Sequence, residues 1–298
     1  MGKEKQAGNG GERGPSAAAA STAPIIVSGR WLAGAFAVVL VAAAVCAYGT
    51  LALLFYQGQW QMILHPAKTI TATPHESFEP IRFDYTEEGI ARLSGWWIPA
   101  DKGARWSGAA VLYLHGGAGS LSNYVSELDA LHALGVNVFA FDYRGYGKSA
   151  GPHPEETRMS ADADAAWSYM MGTRHMGAKS VVIYGTGAGA SLGAELAARH
   201  AAAGVVLDGP TAPARQVIGS DARARILPMW LLLTQKFDPG PALKTLAVPK
   251  LFVDRDGGKA RTRELYQAAA RPKRYVALRQ NSGYGQAITD FLNEVLDK

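Results

Sequence analysis

The residues best placed to do chemistry lie in one turn, Gly185-Thr186-Gly187-Ala188-Gly189. Four strand-type residues, Val181 to Tyr184, lead into it, and a helix-compatible run from Ala190 to Arg199 leaves it. Strand, sharp glycine turn and helix is the layout of G-x-S-x-G, which lifts a serine hydroxyl above a sheet for attack on a carbonyl. Here the serine position holds Gly187, so the turn has no side chain to activate. What it retains is backbone. Amides at the start of a helix suit a carbonyl oxygen or an anion, because their N–H groups lack helical partners. A dinucleotide loop is the rival reading of G-x-G between strand and helix. Its third glycine would fall at Ala190, so that fingerprint is incomplete, although Asp208 lies near the spacing of a ribose-binding acid.

The elements around this turn repeat one pattern. Ile81–Thr86 and Ala91–Ile98 read as strands joined through Glu87-Glu88-Gly89. Ala109–Leu114, Val136–Phe141, Val181–Tyr184, Val205–Leu207 and Lys250–Val253 are short, unalternating apolar runs, the mark of strands buried on both faces of a parallel sheet. Helical segments separate them, at Leu121–Leu134, Glu155–Met171, Ala190–His200, Ala260–Ala270 and Gln286–Leu296. The alternation predicts a three-layer α/β domain with a mostly parallel central sheet and helices on both faces. About residues 210–245 the alternation breaks at an apolar block, Ile226 to Leu233. We expect a short cap helix buried on the domain there. The rival reading is a surface that dips into a membrane or meets a partner.

Five motifs then fall in order along this frame. Leu114-His115-Gly116-Gly117-Ala118-Gly119 follows the third strand, and Phe141-Asp142-Tyr143-Arg144-Gly145-Tyr146-Gly147-Lys148-Ser149 follows the fourth. The glycine turn comes next, then Lys236-Phe237-Asp238 and Val248-Pro249-Lys250-Leu251-Phe252-Val253. From about Gln61 onward the chain resembles the α/β-hydrolase superfamily, specifically its membrane-anchored, short-cap serine-hydrolase-like branch. The resemblance implies the α/β-hydrolase fold and an oxyanion loop at His115, Gly116, Gly117 and Ala118, with the amides of Gly117 and Ala188 facing the pocket. It also implies a Ser, Asp or Glu, and His triad in that chain order. Position by position, the nucleophile slot is Gly187, the acid slot is Gly258 and the base slot is Tyr284.

Substitutes for these roles are few. Ser191 lies one helical turn past Gly187, on a helix wall, and reads as packing. Thr186 stands at the wrong position of the turn. Asp256 or Asp208 could supply an acid, but an acid without a base orients nothing. The seven histidines are His65, His75, His115, His132, His153, His175 and His200, so the last 98 residues hold none. No histidine can arrive from the loop after the last strand. Tyrosine, with an ordinary pKa near 10, suits base work at neutral pH poorly. We therefore expect a pseudo-hydrolase, a binding or scaffold module with a lipid or acyl ligand in the retained pocket. The alternative is an ester or thioester hydrolase with a relocated nucleophile or activated water.

Residues 31–56 contain no charged side chain and exceed the roughly 20 apolar residues that span a bilayer. We read a transmembrane signal anchor there, with a cleaved signal peptide and secretion as the alternative. Lys3, Lys5, Arg13 and Arg30 precede it and only Lys68 follows closely, which puts the N-terminus in the cytoplasm and the main domain on the other side. Residues 1–30 read as a disordered tail, 57–80 as a connector and 81–298 as the folded domain. The 298 residues carry a net charge of +5 and one cysteine, Cys46, which excludes an intrachain disulfide. Residues 211–280 hold 14 Lys/Arg against five Asp/Glu, a solvated face or one that meets anionic headgroups beside the anchor. No basic run tracks a phosphate backbone, so nucleic acid is not expected. No P-loop and no Cys/His cluster occurs, so neither cofactor nor metal is expected. The sequence sets no oligomeric state.

Overall fold

A computed structural model describes residues 28–255, 260–278 and 282–297. The expected tail, up to residue 27, lies outside the described residues. The chain divides into two compact units at Thr50/Leu51. In the first, the side chains of helix α1 (Gly29–Gly58) are almost all exposed and apolar. Such a helix has the length and composition of a membrane span or of a signal sequence. Its final turns, from Leu51, belong to the second unit.

The second unit is built on an eight-stranded sheet. Its strands are β2 (Glu79–Tyr85), β3 (Ala91–Ile98), β4 (Trp106–Leu114), β6 (Val136–Asp142), β7 (Val181–Thr186), β8 (Gly204–Asp208), β9 (Lys250–Asp254) and β10 (Lys273–Ala277). Their order is β10-β9-β8-β7-β4-β6-β3-β2. The first six are parallel, and β3 and β2 add an antiparallel edge. Every residue of β6, β8 and β9 is buried, which is why their sequences run apolar without alternation. The remaining two strands, β1 (His65–Pro66) and β5 (Ala118–Gly119), pair with each other in parallel.

Helices cover both faces. One face carries α2 (Val125–His132) and α9 (Tyr284–Leu296), and α9 presents Tyr284, Ile288, Phe291, Leu292 and Val295 at helical spacing to the core. The other carries α3 (Glu156–Gly172), α4 (Ala188–Arg199) and α8 (Ala260–Ala268). Small residues bring α4 very close to the strands beneath it: a Cβ on Gly189 would overlap the Leu114 carbonyl. Two expectations need correction. Residues 121–124 form a 3-10 turn before α2. Strand β10 was not foreseen, because Lys273-Arg274-Tyr275-Val276-Ala277 is a half-exposed edge without an apolar run.

The cap consists of α5 (Ala214–Gly219), a 3-10 turn, α6 (Met229–Leu232) and α7 (Gly240–Thr245). It is not buried as a whole. Leu227 packs with Ala214 and Ile218 against Phe55, but Trp230 is 85% exposed and Leu231 64%.

Candidate functional site at the strand–helix turn

The turn between β7 and α4 is built on Gly187, whose φ of 57° and ψ of −119° are open to glycine and rarely to other residues. Its N–H donates to the Asp208 carbonyl at 3.0 Å, which ties the turn to the end of β8. A Cβ on Gly187 would meet only the Gly116 Cα and the Thr211 Cγ2, each at 3.6 Å. The position is half-buried and has room for a small side chain. Beside it runs the loop after β4. A Cβ on Gly117 would lie 3.6 Å from the Ala188 Cβ, so this loop and the start of α4 adjoin.

The loop is held from behind by its carbonyls. His65 N donates to Gly117 O at 2.7 Å and Ala67 N to Gly119 O at 2.7 Å. Tyr146 Oη donates to Gly117 O at 2.9 Å and Tyr124 Oη to Ala118 O at 3.0 Å. The ring of buried His115 donates through Nδ1 to Gly116 O at 2.7 Å. A trans peptide sets N–H opposite C=O, so the Gly117 N–H points away from the His115 ring. Burial lowers the His115 pKa to about 4, and the ring is neutral at physiological pH. It is wedged among Tyr124, Tyr143 and Tyr146 behind the loop.

Asp142 stands on the same support. Its Oδ1 accepts from Leu121 N at 2.8 Å, and burial raises its pKa from 3.8 to about 6. The native state therefore binds more protons than the unfolded chain between about pH 4 and 6. Stability attributable to this group falls as pH rises through that window, and the penalty is complete above it. Urea unfolding at about pH 4.5 and about pH 6.5 will show Asp142→Asn gaining on the natural protein as pH rises, by the order of 2 kcal/mol. A difference that does not change with pH would mean that the carboxylate is solvated.

A family model described as alpha/beta hydrolase fold matches residues 109–282, more than half of the chain. The chain belongs to the α/β-hydrolase family. An uncharacterized protein of Mycobacterium tuberculosis strain H37Rv is 33% identical over 199 residues, covering 65% of this chain and 68% of that protein. Human alpha/beta hydrolase domain-containing protein 17B is 33% identical over 116 residues, 38% of this chain and 39% of its own length. Among solved structures, a Pyrococcus furiosus esterase superposes with a TM-score of 0.60 at 18% identity, covering 78% of this chain and 98% of the esterase. That likeness concerns the fold alone.

In this α/β-hydrolase-family chain the polar groups around the turn are tied to one another. Register sets Thr186 opposite Asp208 across β7 and β8, which brings Tyr184 and Asp208 together. Tyr184 Oη donates to Asp208 Oδ2, and Tyr284 Oη donates to Tyr184 Oη at 2.9 Å. Arg255, just past β9, donates to the same Asp208 oxygen from Nε at 2.8 Å and from Nη2 at 2.5 Å. Its guanidinium lies 4.8 Å from the centre of the Tyr284 ring, and its Nη1 is 3.5 Å from Glu127 Oε1. Tyr113 stacks on Tyr184 at 5.2 Å. Burial raises the Tyr284 pKa above its ordinary value, so the hydroxyl stays protonated and serves as a donor.

The proposed slots and substitutes fare differently. Gly187, Ala188 and the loop from His115 to Ala118 come together. Tyr284 turns its hydroxyl inward to Tyr184. Asp208 is 1% exposed, and its Oδ2 accepts from both Arg255 and Tyr184. Ser191 is buried, and its Oγ donates to Phe237 O at 2.9 Å. Gly258 and Asp256 lie outside the described residues. Reading the sequence missed Arg255 and Tyr184. No local pattern links Arg255 to Asp208, and Tyr184 looks like ordinary strand core. Among the described residues, no cluster of three His, Cys, Asp or Glu side chains suits a metal.

Proposed function

We propose that this chain is a membrane-anchored member of the α/β-hydrolase family that binds a ligand and does not hydrolyse it by the serine mechanism. One observation carries the reading. The turn that would present the nucleophile has glycine at its apex, and the side chain at the base slot, Tyr284, spends its hydroxyl on Tyr184. A triad acts as a unit, so loss of even one member removes most of the rate. Gly258 in the acid slot and the histidine-free C-terminal third point the same way. The amides of Gly117 and Ala188 still suit the carbonyl or anionic head of a lipid or acyl compound, at the start of a helix of 12 residues. The anchor would be residues 31–56. The bias of Lys3, Lys5, Arg13 and Arg30 supports a cytoplasmic N-terminus with the main domain on the far side.

The full-length protein, purified in detergent, will neither react with a fluorophosphonate probe nor hydrolyse p-nitrophenyl butyrate above the buffer rate. A probe adduct on any serine of the chain, located by peptide mass spectrometry and lost on its replacement by alanine, would overturn the reading. Ser191 is the residue to watch.

A further inference from the structure

The cap leaves a tryptophan and a leucine in the open, and its surroundings say what covers them. Trp230 and Leu231 of α6 are exposed, while their neighbour Leu227 is buried with Ala214 and Ile218 against Phe55, Leu51 and Ala52. The cap is thus stacked on the last turns of α1. A second tie fixes α6 itself. Gln59 donates through Nε2 to Leu232 O at 3.0 Å and accepts from Thr234 N through Oε1 at 2.9 Å. Gln59 is only three residues past Tyr56, where the apolar run gives way to Gln57, or about 5 Å along a helix. Charge completes the pattern. Between Pro213 and Lys236 the chain carries four Lys/Arg against one Asp, and that Asp221 is paired with Arg223 at 2.8 Å. Arg215 and Arg225 are exposed and make no ion pair among the described residues, whereas Lys236 lies within electrostatic reach of Glu156 and Glu195.

From this juxtaposition we infer that the α6 face of the cap docks on the surface of a bilayer containing anionic lipids. Trp230 and Leu231 would lie at headgroup level, and Arg215 and Arg225 would meet lipid phosphates. Tryptophan favours that level because its ring is apolar and its N–H is polar. Each cation near an anionic surface adds attraction that falls off within a Debye length. The inference rests on reading α1 as a membrane anchor.

The test uses the full chain in vesicles of phosphatidylcholine mixed with phosphatidylglycerol. On a Cys46→Ser background, single cysteines replace Leu231, Val41 or Tyr85 and carry a nitrobenzoxadiazole label. Val41 reports the anchor, and Tyr85, exposed on β2, reports water. The expected result is strong quenching of the Leu231→Cys label by doxyl-labelled lipid and shielding from iodide, with the reverse for Tyr85→Cys. Arg215→Glu with Arg225→Glu should remove at least half of that lipid quenching. A Leu231→Cys label quenched by iodide as readily as the Tyr85→Cys label would overturn docking. So would shielding without lipid quenching that grows with protein concentration, which would assign the face to a second copy. Lipid quenching unchanged by the two charge reversals would overturn the anionic headgroups. A Val41→Cys label open to iodide would mean that the anchor reading itself had failed.

Discussion

Replacing Arg255 with alanine will destabilise the protein by about 3–5 kcal/mol, the penalty for leaving a buried partner charge uncompensated. Asp208 has a side chain 2% exposed, and Arg255 is the cation that contacts it. Without the guanidinium, the Tyr184 hydroxyl is the one side-chain donor left to Asp208 among the described residues. The carboxylate must then bear its desolvation nearly alone. Tyr284→Phe offers the contrast. It deletes a hydroxyl that donates to Tyr184 and leaves both donors on Asp208 in place, so its effect should be about 1 kcal/mol, that of one neutral hydrogen bond. Urea unfolding of the two variants measures both. A loss below about 1 kcal/mol for Arg255→Ala would mean that the cluster is wet.

The second large effect separates two glycines of one turn. Gly189→Ala will exceed the about 1–3 kcal/mol usual for an overpacked core. The added methyl would overlap the carbonyls of Leu114 and crowd His115, which are backbone and cannot rotate aside. To admit it, α4 must lift off the sheet. Gly187→Ala adds the same atom in open space, 3.6 Å from its nearest neighbours. Its penalty is backbone strain alone, about 1–3 kcal/mol for a residue held in a sparsely populated region. Thermal unfolding and soluble yield distinguish them: Gly187→Ala folds with a lowered Tm, and Gly189→Ala gives little or no folded protein. Equal behaviour would mean that the turn is looser than its geometry. An unchanged Tm for Gly187→Ala would mean that the apex does not hold its positive-φ shape.

Most of the frame was readable from the sequence because fully buried strands leave a plain mark. Val136–Phe141 and Val205–Leu207 are apolar at every or nearly every position, and each lies within a strand buried along its whole length. Strand β10 escaped because a half-exposed edge strand carries lysine and arginine in place of an apolar run. The bent geometry of Gly187 was readable too, since a glycine between strand and helix signals a backbone that other residues resist. The Tyr284–Tyr184–Asp208–Arg255 cluster was not. Its members are separated by 24, 47 and 100 positions, and strand register, not local pattern, brings them together. An isolated tyrosine in an apolar strand looks like core until its partner is known. The open face of α6 was legible only as the rival to a buried cap helix, because an apolar block such as Met229-Trp230-Leu231-Leu232 does not show which of its side chains is covered.

The strap formed by β1 against β5 matters to anyone who would cut this chain. His65 and Ala67 hold the carbonyls of Gly117 and Gly119, and the side chain of Leu64 is buried against Gly117. A recombinant fragment begun at residue 81, where the first long strand suggests a start, would discard all three. It would fold around the central sheet with the amide loop unsupported, and would report a weaker pocket than the protein owns. A fragment begun at Leu51 keeps the strap, and also keeps Phe55 and Gln59 under the cap.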